Sequence, residues 1–141
     1  MYEGDGEISL TLWLYSADLT PEEMSEALRV SSDDFRRIGV KKGKTDKTWD
    51  TNVWIIRQSK RVPFGELFEA LEPLMSSLLE RIEFSADTFR QLSDAGSAML
   101  TLAIESDGYP GIGIDKELLT RLGRLGITLD IDLYCDPRNE E

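Results

Sequence analysis

Two stretches of this chain show the same succession of an alternating apolar run and a helical pattern. In the first, apolar side chains fill every second position from Ile8 to Leu14, and a helix start follows at Thr20-Pro21-Glu22-Glu23. In the second, the alternation runs from Ala98 to Ile104, and a helical pattern opens at Asp115. Period-two alternation indicates a strand with one buried face, and apolar residues three and four apart indicate an amphipathic helix. The repetition predicts two copies of a β-α-β unit.

The remaining segments complete an α+β plan. Residues 52–59 and 128–135 are predicted as the second and fourth strands. A long helical pattern follows Pro63, and Pro73 is expected to kink it or split it in two. The economical fold is α+β, with pseudo-duplicated β-α-β units that form a four-stranded, largely antiparallel sheet. The helices are expected on one face of that sheet, as in ferredoxin-like folds.

Length and composition bound the class of protein. The 141 residues predict a single α+β domain over 1–141, with flexible termini at 1–6 and 137–141. No signal peptide or membrane-spanning run is visible, so we expect a cytoplasmic protein without membrane contact. The chain has no histidine and one cysteine, Cys135, which excludes Ser-His-Asp and Cys-His catalysis and multi-thiolate zinc sites. Carboxylate or lysine chemistry stays possible, but no motif supports it, so we predict a protein that is not an enzyme and that uses no cofactor or metal.

The charge of the chain is strongly polarised. The net charge is −11, but residues 36–61 hold nine cations and two carboxylates, which gives +7 there and leaves −18 elsewhere. An acidic protein repels nucleic acid and attracts basic proteins. The basic segment contains Trp49 and Trp54, which could stack on bases, but pairing with acidic surface of this chain or of a second copy is the simpler role. We expect a basic protein partner and no nucleic acid.

Strand parity predicts two unlike sheet faces. The helix-covered face should include the alternating run of the first strand and Leu129, Ile131 and Leu133 of the last. The opposite face should carry large aromatic side chains beside carboxylates, a combination typical of binding surfaces. The predicted partner-binding residues are Trp13, Tyr15, Trp54, Asp130, Asp132 and Tyr134.

Two points of this surface stay open. Both parities of the second strand are apolar, so Trp54 could face either way. The aromatic side chains could also serve only to cover a half-exposed sheet or to meet a second copy of the chain. Asp130 and Asp132 could in principle form a carboxylate pair for catalysis or for a cation, but no further ligands or cleft are visible in the sequence.

Three segments carry a family resemblance. They are the strand that leads into Leu19-Thr20-Pro21-Glu22-Glu23, the Gly43-Lys44 loop that leads to Trp54, and the run from Leu118 to Tyr134. With these segments the chain resembles, over nearly its whole length, a bacterial family known only as domain of unknown function 4279. The resemblance implies this fold and a bacterial cytoplasmic origin. It contributes no catalytic residue, because the family has no established activity.

These observations lead to one main hypothesis and one alternative. The main hypothesis is a non-enzymatic binding protein, of which an immunity-type protein that neutralises a basic toxin is one form. Electrostatic steering would bring the acidic, aromatic face onto the cationic partner. The alternative is a small-ligand-binding regulatory module that acts as a homodimer.

Overall fold

The computed structural model describes residues 4–108 and 110–135. Within these ranges the fold is mixed α+β, with four α-helices and a five-stranded sheet. The elements follow in the order β1 (Asp5–Ser16), α1 (Pro21–Leu28), β2 (Asp34–Arg36), β3 (Asn52–Pro63), α2 (Leu67–Glu83), α3 (Ala86–Ala95), β4 (Ser97–Ser106), α4 (Lys116–Leu125) and β5 (Thr128–Cys135). A 3-10 turn, Phe64–Glu66, leads into α2.

The sheet has one strand more than the sequence predicts. Its order is β2-β3-β1-β4-β5, and every neighbouring pair is antiparallel except β4 and β5, which run parallel. The prediction of a largely antiparallel sheet is confirmed, and the prediction of four strands is wrong. The additional strand, β2, has only three residues, Asp34-Phe35-Arg36, and such a short run shows no alternation that a sequence pattern could detect.

The two β-α-β segments do not share one topology. β1 and β3 precede and follow α1 along the chain, and they are antiparallel neighbours in the sheet. β4 and β5 precede and follow α4, and they are parallel neighbours. The difference arises because residues 29–51, which include β2, return the chain to the end of the sheet at which β1 stops, and β3 begins there. A repeated unit would give both strand pairs the same direction. The ferredoxin-like arrangement is therefore not confirmed.

All four helices contribute to one apolar core on one face of the sheet. The core takes side chains of a single parity from each long strand, such as Ile8 to Leu14 in β1 and Ala98 to Ile104 in β4. Each helix adds a buried stripe, and the longest stripe belongs to α2. The buried side chains of α2 are Leu67, Leu71, Leu74, Met75, Leu78, Leu79 and Ile82.

Local signals set the helix ends largely as the sequence predicts. Thr20 accepts from the Glu23 amide and Glu23 accepts from the Thr20 amide, which completes the predicted capping box before α1. Gly126 ends α4 with a φ of 72°, a conformation that glycine adopts without strain. The predicted split of the helix at Pro73 is wrong, because α2 continues through this exposed residue. The buried stripe on the opposite side of α2 offsets the hydrogen bond that proline cannot make.

The predicted flexible termini are corrected in part. β1 begins at Asp5, so Asp5 and Gly6 lie in the sheet. Residues 1–3 and 137–141 lie outside the described residues. In the two described ranges, none of the helices is both long enough and apolar enough to cross a bilayer.

Candidate partner-binding surface

The face of the sheet opposite the core, called here the helix-free face, presents side chains in rows across the strands. Residues that pair directly share a face, so the strand registers define each row. The row through Thr11 runs Arg57, Thr11, Thr101, Asp130, and the row through Ser9 runs Ser59, Ser9, Ala103, Asp132. The centre of the face is therefore made of small side chains, with larger charged groups toward its two sides.

The two aromatic residues of β1 form one end of the helix-free face. The rings of Trp13 and Tyr15 stack with their centroids 6.5 Å apart, and both side chains are half-buried. The Trp13 indole Nε1 donates to Thr101 Oγ1 over 3.2 Å, and burial raises the pKa of Tyr15. Their direct neighbours on β3, Ile55 and Val53, are fully buried. This end is a small packed cluster with a partly exposed aromatic surface.

Trp54 does not belong to the helix-free face. It pairs with Leu14, so it points into the helix-covered core, where it is fully buried. Its Nε1 donates to the Ser25 hydroxyl of α1 over 3.0 Å. The prediction of Trp54 as a partner-binding residue is wrong, because a fully buried indole with an internal hydrogen-bond partner cannot contact another protein. The sequence left its direction open, and only the register with β1 decides it.

The β2–β3 side of the helix-free face is cationic but internally paired. The Asp34 carboxylate lies 2.8 Å from Arg36 and 3.0 Å from Arg57. The hydrogen bond from Arg36 is the main cause that holds the pKa of Asp34 below its usual value. On the nearby loop, Arg37 makes a two-point contact with Glu22 of α1, at 2.8 and 2.6 Å. These internal contacts neutralise much of the charge of Arg36, Arg37 and Arg57.

The lysine-rich loop that follows is organised around Trp49. The Trp49 N–H donates to the Val40 carbonyl, the Trp49 carbonyl accepts from the Gly39 N–H, and a single bridge joins Lys41 to Thr48. The Lys42 ammonium lies 4.6 Å from the Trp49 ring centroid, and the Arg36 guanidinium lies 6.0 Å from it. Trp49 is therefore engaged with cations of its own segment. This arrangement favours the intramolecular interpretation of the basic segment 36–61 over base stacking.

The opposite side of the helix-free face is acidic, and we call Glu105, Asp130, Asp132 and Tyr134 the acidic edge. Asp130 is exposed, Asp132 is half-buried, and Tyr134 is 61% exposed. Glu105 and Tyr134 are direct neighbours across β4 and β5. Within residues 4–108 and 110–135, neither Asp130 nor Asp132 forms a salt bridge, although Asp34 on the same face has two. The acidic edge thus has carboxylate charge that the described part of the protein does not neutralise.

An open cleft of about 820 Å³ continues the acidic edge at the end of the sheet. Its lining includes Tyr134 and one cationic side chain, that of Arg61. It also includes four carboxylates, which are Asp5, Glu7, Glu105 and Asp107. Arg61 lies 3.8 Å from Glu7, so it compensates only part of this charge. The cleft therefore suits a positively charged group. No set of three acidic, histidine or cysteine side chains placed to hold a metal ion occurs in the part of the chain that the structure describes.

The structure separates the predicted site residues into three places. Trp13 and Tyr15 stack at the aromatic end, while Asp130, Asp132 and Tyr134 lie on β5, two strands away from β1, or about 10 Å. Trp54 lies in the core. Sequence reasoning missed Glu105, although its odd position in the alternation of β4 places it on the same face as Thr101.

The sequence also predicts helix cover over the inner side of β5, and this is only partly correct. Leu129 is half-buried, but Ile131 is 43% exposed and Leu133 is 50% exposed. Their neighbours on β4, Leu102 and Ile104, are buried. The helical layer therefore ends near β4, because β5 is the last strand of the sheet and α4 has only ten residues with which to cover it.

Comparison with known proteins identifies the family. A family model described as a domain of unknown function (DUF4279) matches residues 6–136. The chain belongs to this family. The match confirms the resemblance predicted from sequence and covers every strand and helix of the DUF4279 domain except the first residue of β1. Searches of the curated proteins and of the solved structures found no match.

Proposed function

We propose that this DUF4279 protein is a non-enzymatic binding module that docks a basic protein on its acidic edge. The observation that carries the proposal is the contrast between the two sides of the helix-free face. On one side Asp34 is held between Arg36 and Arg57, and on the other side Asp130 and Asp132 have no ion pair in the described residues. Carboxylates left without partners on an exposed strand are available to a cationic partner.

Binding would proceed by long-range attraction followed by desolvation of an aromatic anchor. The net charge of −11 favours encounter with basic proteins and is screened by salt. Tyr134 is the largest exposed side chain of the acidic edge and supplies apolar contact area beside the charges. Trp13 and Tyr15 are half-buried and would contribute at the margin of the contact. Neutralisation of a basic toxin by occlusion is one form of this proposal, and the nature of the neighbouring gene would test it.

Affinity capture from lysate of the cells that encode the protein tests the proposal. The wild-type protein is expected to retain at least one basic protein, and Asp130→Lys combined with Asp132→Lys is expected to reduce its recovery at least tenfold. The reduction follows because the substitutions reverse the charge that contacts the partner. Quantitative mass spectrometry of the retained fraction provides the measurement.

The matched control places the same charge change on the helical side of the molecule. Glu26→Lys combined with Glu72→Lys alters two exposed glutamates of α1 and α2. Recovery of the basic protein should stay within about twofold of wild type, since binding depends mainly on local contacts. Equal losses in both double variants would show that net charge alone governs recovery. That result, or capture of no basic protein, would contradict the proposal.

The cleft favours a second candidate function. A small cationic ligand would fit between its four carboxylates, and a ligand-binding regulatory module that acts as a dimer would use such a site. A metabolite that raises the melting temperature of the wild-type protein, but not that of Glu105→Gln, would favour this candidate. Absence of any such metabolite, together with capture of a basic protein, would favour the binding module.

A further inference from the structure

The outer edge of β5 is a free pairing edge of the sheet. β5 is the last strand in the order β2-β3-β1-β4-β5, and it is eight residues long. Among the residues that the structure describes, no strand pairs with its outer side. The other edge strand, β2, has only three residues. A long edge strand exposes backbone N–H and C=O groups that can pair with another chain.

The side chains of β5 form two different rows, one on each face of the strand, and an incoming strand would lie along both. We call these rows lanes. On the helix side, Ile131 and Leu133 are 43% and 50% exposed, which leaves apolar surface uncovered. On the helix-free side, Asp130 and Asp132 present two carboxylates at alternate positions. A strand added at this edge would place its own alternate side chains directly beside these two lanes, because paired residues share a face.

The arrangement of the carboxylates argues against a second copy as the occupant. Two antiparallel β5 strands related by a twofold axis would keep the same face on the same side. Asp130 and Asp132 of both copies would then lie together on that side as four neighbouring carboxylates. Like charges directly opposite each other destabilise strand pairing, and charged edge residues are a usual protection against self-association.

We propose that β5 binds an extended segment of a basic protein by strand addition, with cationic and apolar side chains alternating along that segment. The cationic residues of the segment lie beside Asp130 and Asp132 on the helix-free side, and its apolar residues lie beside Ile131 and Leu133 on the helix side. This inference rests on the proposed function and names the mode and the chemistry of the partner. Backbone hydrogen bonds along β5 provide affinity, and the two side-chain lanes provide selectivity.

Titration calorimetry with synthetic peptides tests this mode on the full-length protein. The probe is a nine-residue peptide that alternates lysine and valine, and the comparison peptide has the same composition with the lysines and valines in separate blocks. Only the alternating peptide can match both lanes, so it is expected to bind at least tenfold more tightly. Ile131→Ser combined with Leu133→Ser should weaken its binding at least tenfold. The control, Phe84→Ser combined with Leu119→Ser, removes apolar side chains of similar exposure elsewhere and should leave the affinity unchanged.

The possible results separate the binding mode from the proposed function. If both peptides bind equally and both lose affinity in Asp130→Lys with Asp132→Lys, the acidic edge binds cationic chains but strand addition is wrong. If the alternating peptide does not bind at all, strand addition is also wrong, while the capture experiment still tests the function. Analytical ultracentrifugation tests whether a second copy of the chain occupies the edge instead. A wild-type dimer that Ile131→Ser with Leu133→Ser dissociates would assign the edge to a second copy and overturn the inference.

Discussion

Trp54→Ala is expected to lower the free energy of unfolding by about 4 kcal/mol, which is near the upper end for a large core side chain. Trp54 is fully buried between the sheet and α1 and belongs to the core that all four helices share. Its removal loses the burial of the indole and leaves a cavity at the same place. Since domains of this size are commonly stable by 5–15 kcal/mol, the loss is a large fraction of the total. Urea unfolding followed by far-ultraviolet circular dichroism measures it without dependence on tryptophan fluorescence.

Two further substitutions separate the causes of this loss. Trp13→Ala on the helix-free face should cost less than half as much, because Trp13 is only half-buried. Ser25→Ala should cost about 1 kcal/mol, because it leaves the buried Trp54 N–H without its hydrogen-bond partner. Equal losses for Trp13→Ala and Trp54→Ala would contradict the assignment of the two tryptophans to opposite faces.

Gly96→Ala is expected to lower the free energy of unfolding by about 3 kcal/mol through a backbone clash. A Cβ atom at Gly96 would lie 2.0 Å from the Tyr15 carbonyl oxygen, whereas ordinary van der Waals contacts begin near 3.4 Å. The neighbouring atom is backbone, so no side-chain rotation can relieve the contact. The end of β1 or the turn between α3 and β4 must move instead. Chemical denaturation provides the value, and amide NMR shifts near Tyr15 locate the displacement.

Gly123→Ala is the matched control for this substitution. Gly123 lies within α4, and apart from its chain neighbours and the backbone of its own helix, no described atom lies within 4 Å of a Cβ built there. Alanine is the better helix former by about 0.5–1 kcal/mol, so the variant should be slightly more stable than wild type. If Gly96→Ala were equally harmless, the close approach of β1 to the α3–β4 turn would be wrong.

The strands and helices with regular patterns could be predicted from the sequence. β1 and β4 follow from strict alternation, because each has one face against the core and one against a more polar surface. The start of α1 follows from Thr20, Pro21 and Glu23, which act within a single turn. Such features depend on local interactions or on a simple periodicity, and a sequence shows both directly.

Features that depend on contacts between distant segments could not be predicted. The parallel direction of β5 and the pairing of β2 with β3 are set by how the intervening chain returns. The side on which Trp54 lies depends on its register with Leu14, because the residues directly before and after Trp54 are apolar as well. Pro73 predicts a kink or a split in the helix, yet α2 continues through it, because packing of the opposite side of the helix outweighs the local preference.

The candidate site shows the same division. Parity alone correctly placed Asp130, Asp132 and Tyr134 opposite the core side of β5. Parity could not show that Arg36 and Arg57 neutralise Asp34 on the other side of the same face. It also could not show that Ile131 and Leu133 stay exposed, because exposure there depends on where the helical layer ends.

Hydrogen–deuterium exchange with residue resolution tests most directly whether the acidic edge is the binding surface. The protein is measured alone and saturated with the basic protein that capture recovers. Slower exchange should appear in β5, residues 128–135, with smaller changes in the neighbouring part of β4, since binding there protects the free edge. Protection confined to the lysine-rich loop at 37–51 or to the outer sides of α1 and α2, with β5 unchanged, would contradict the account.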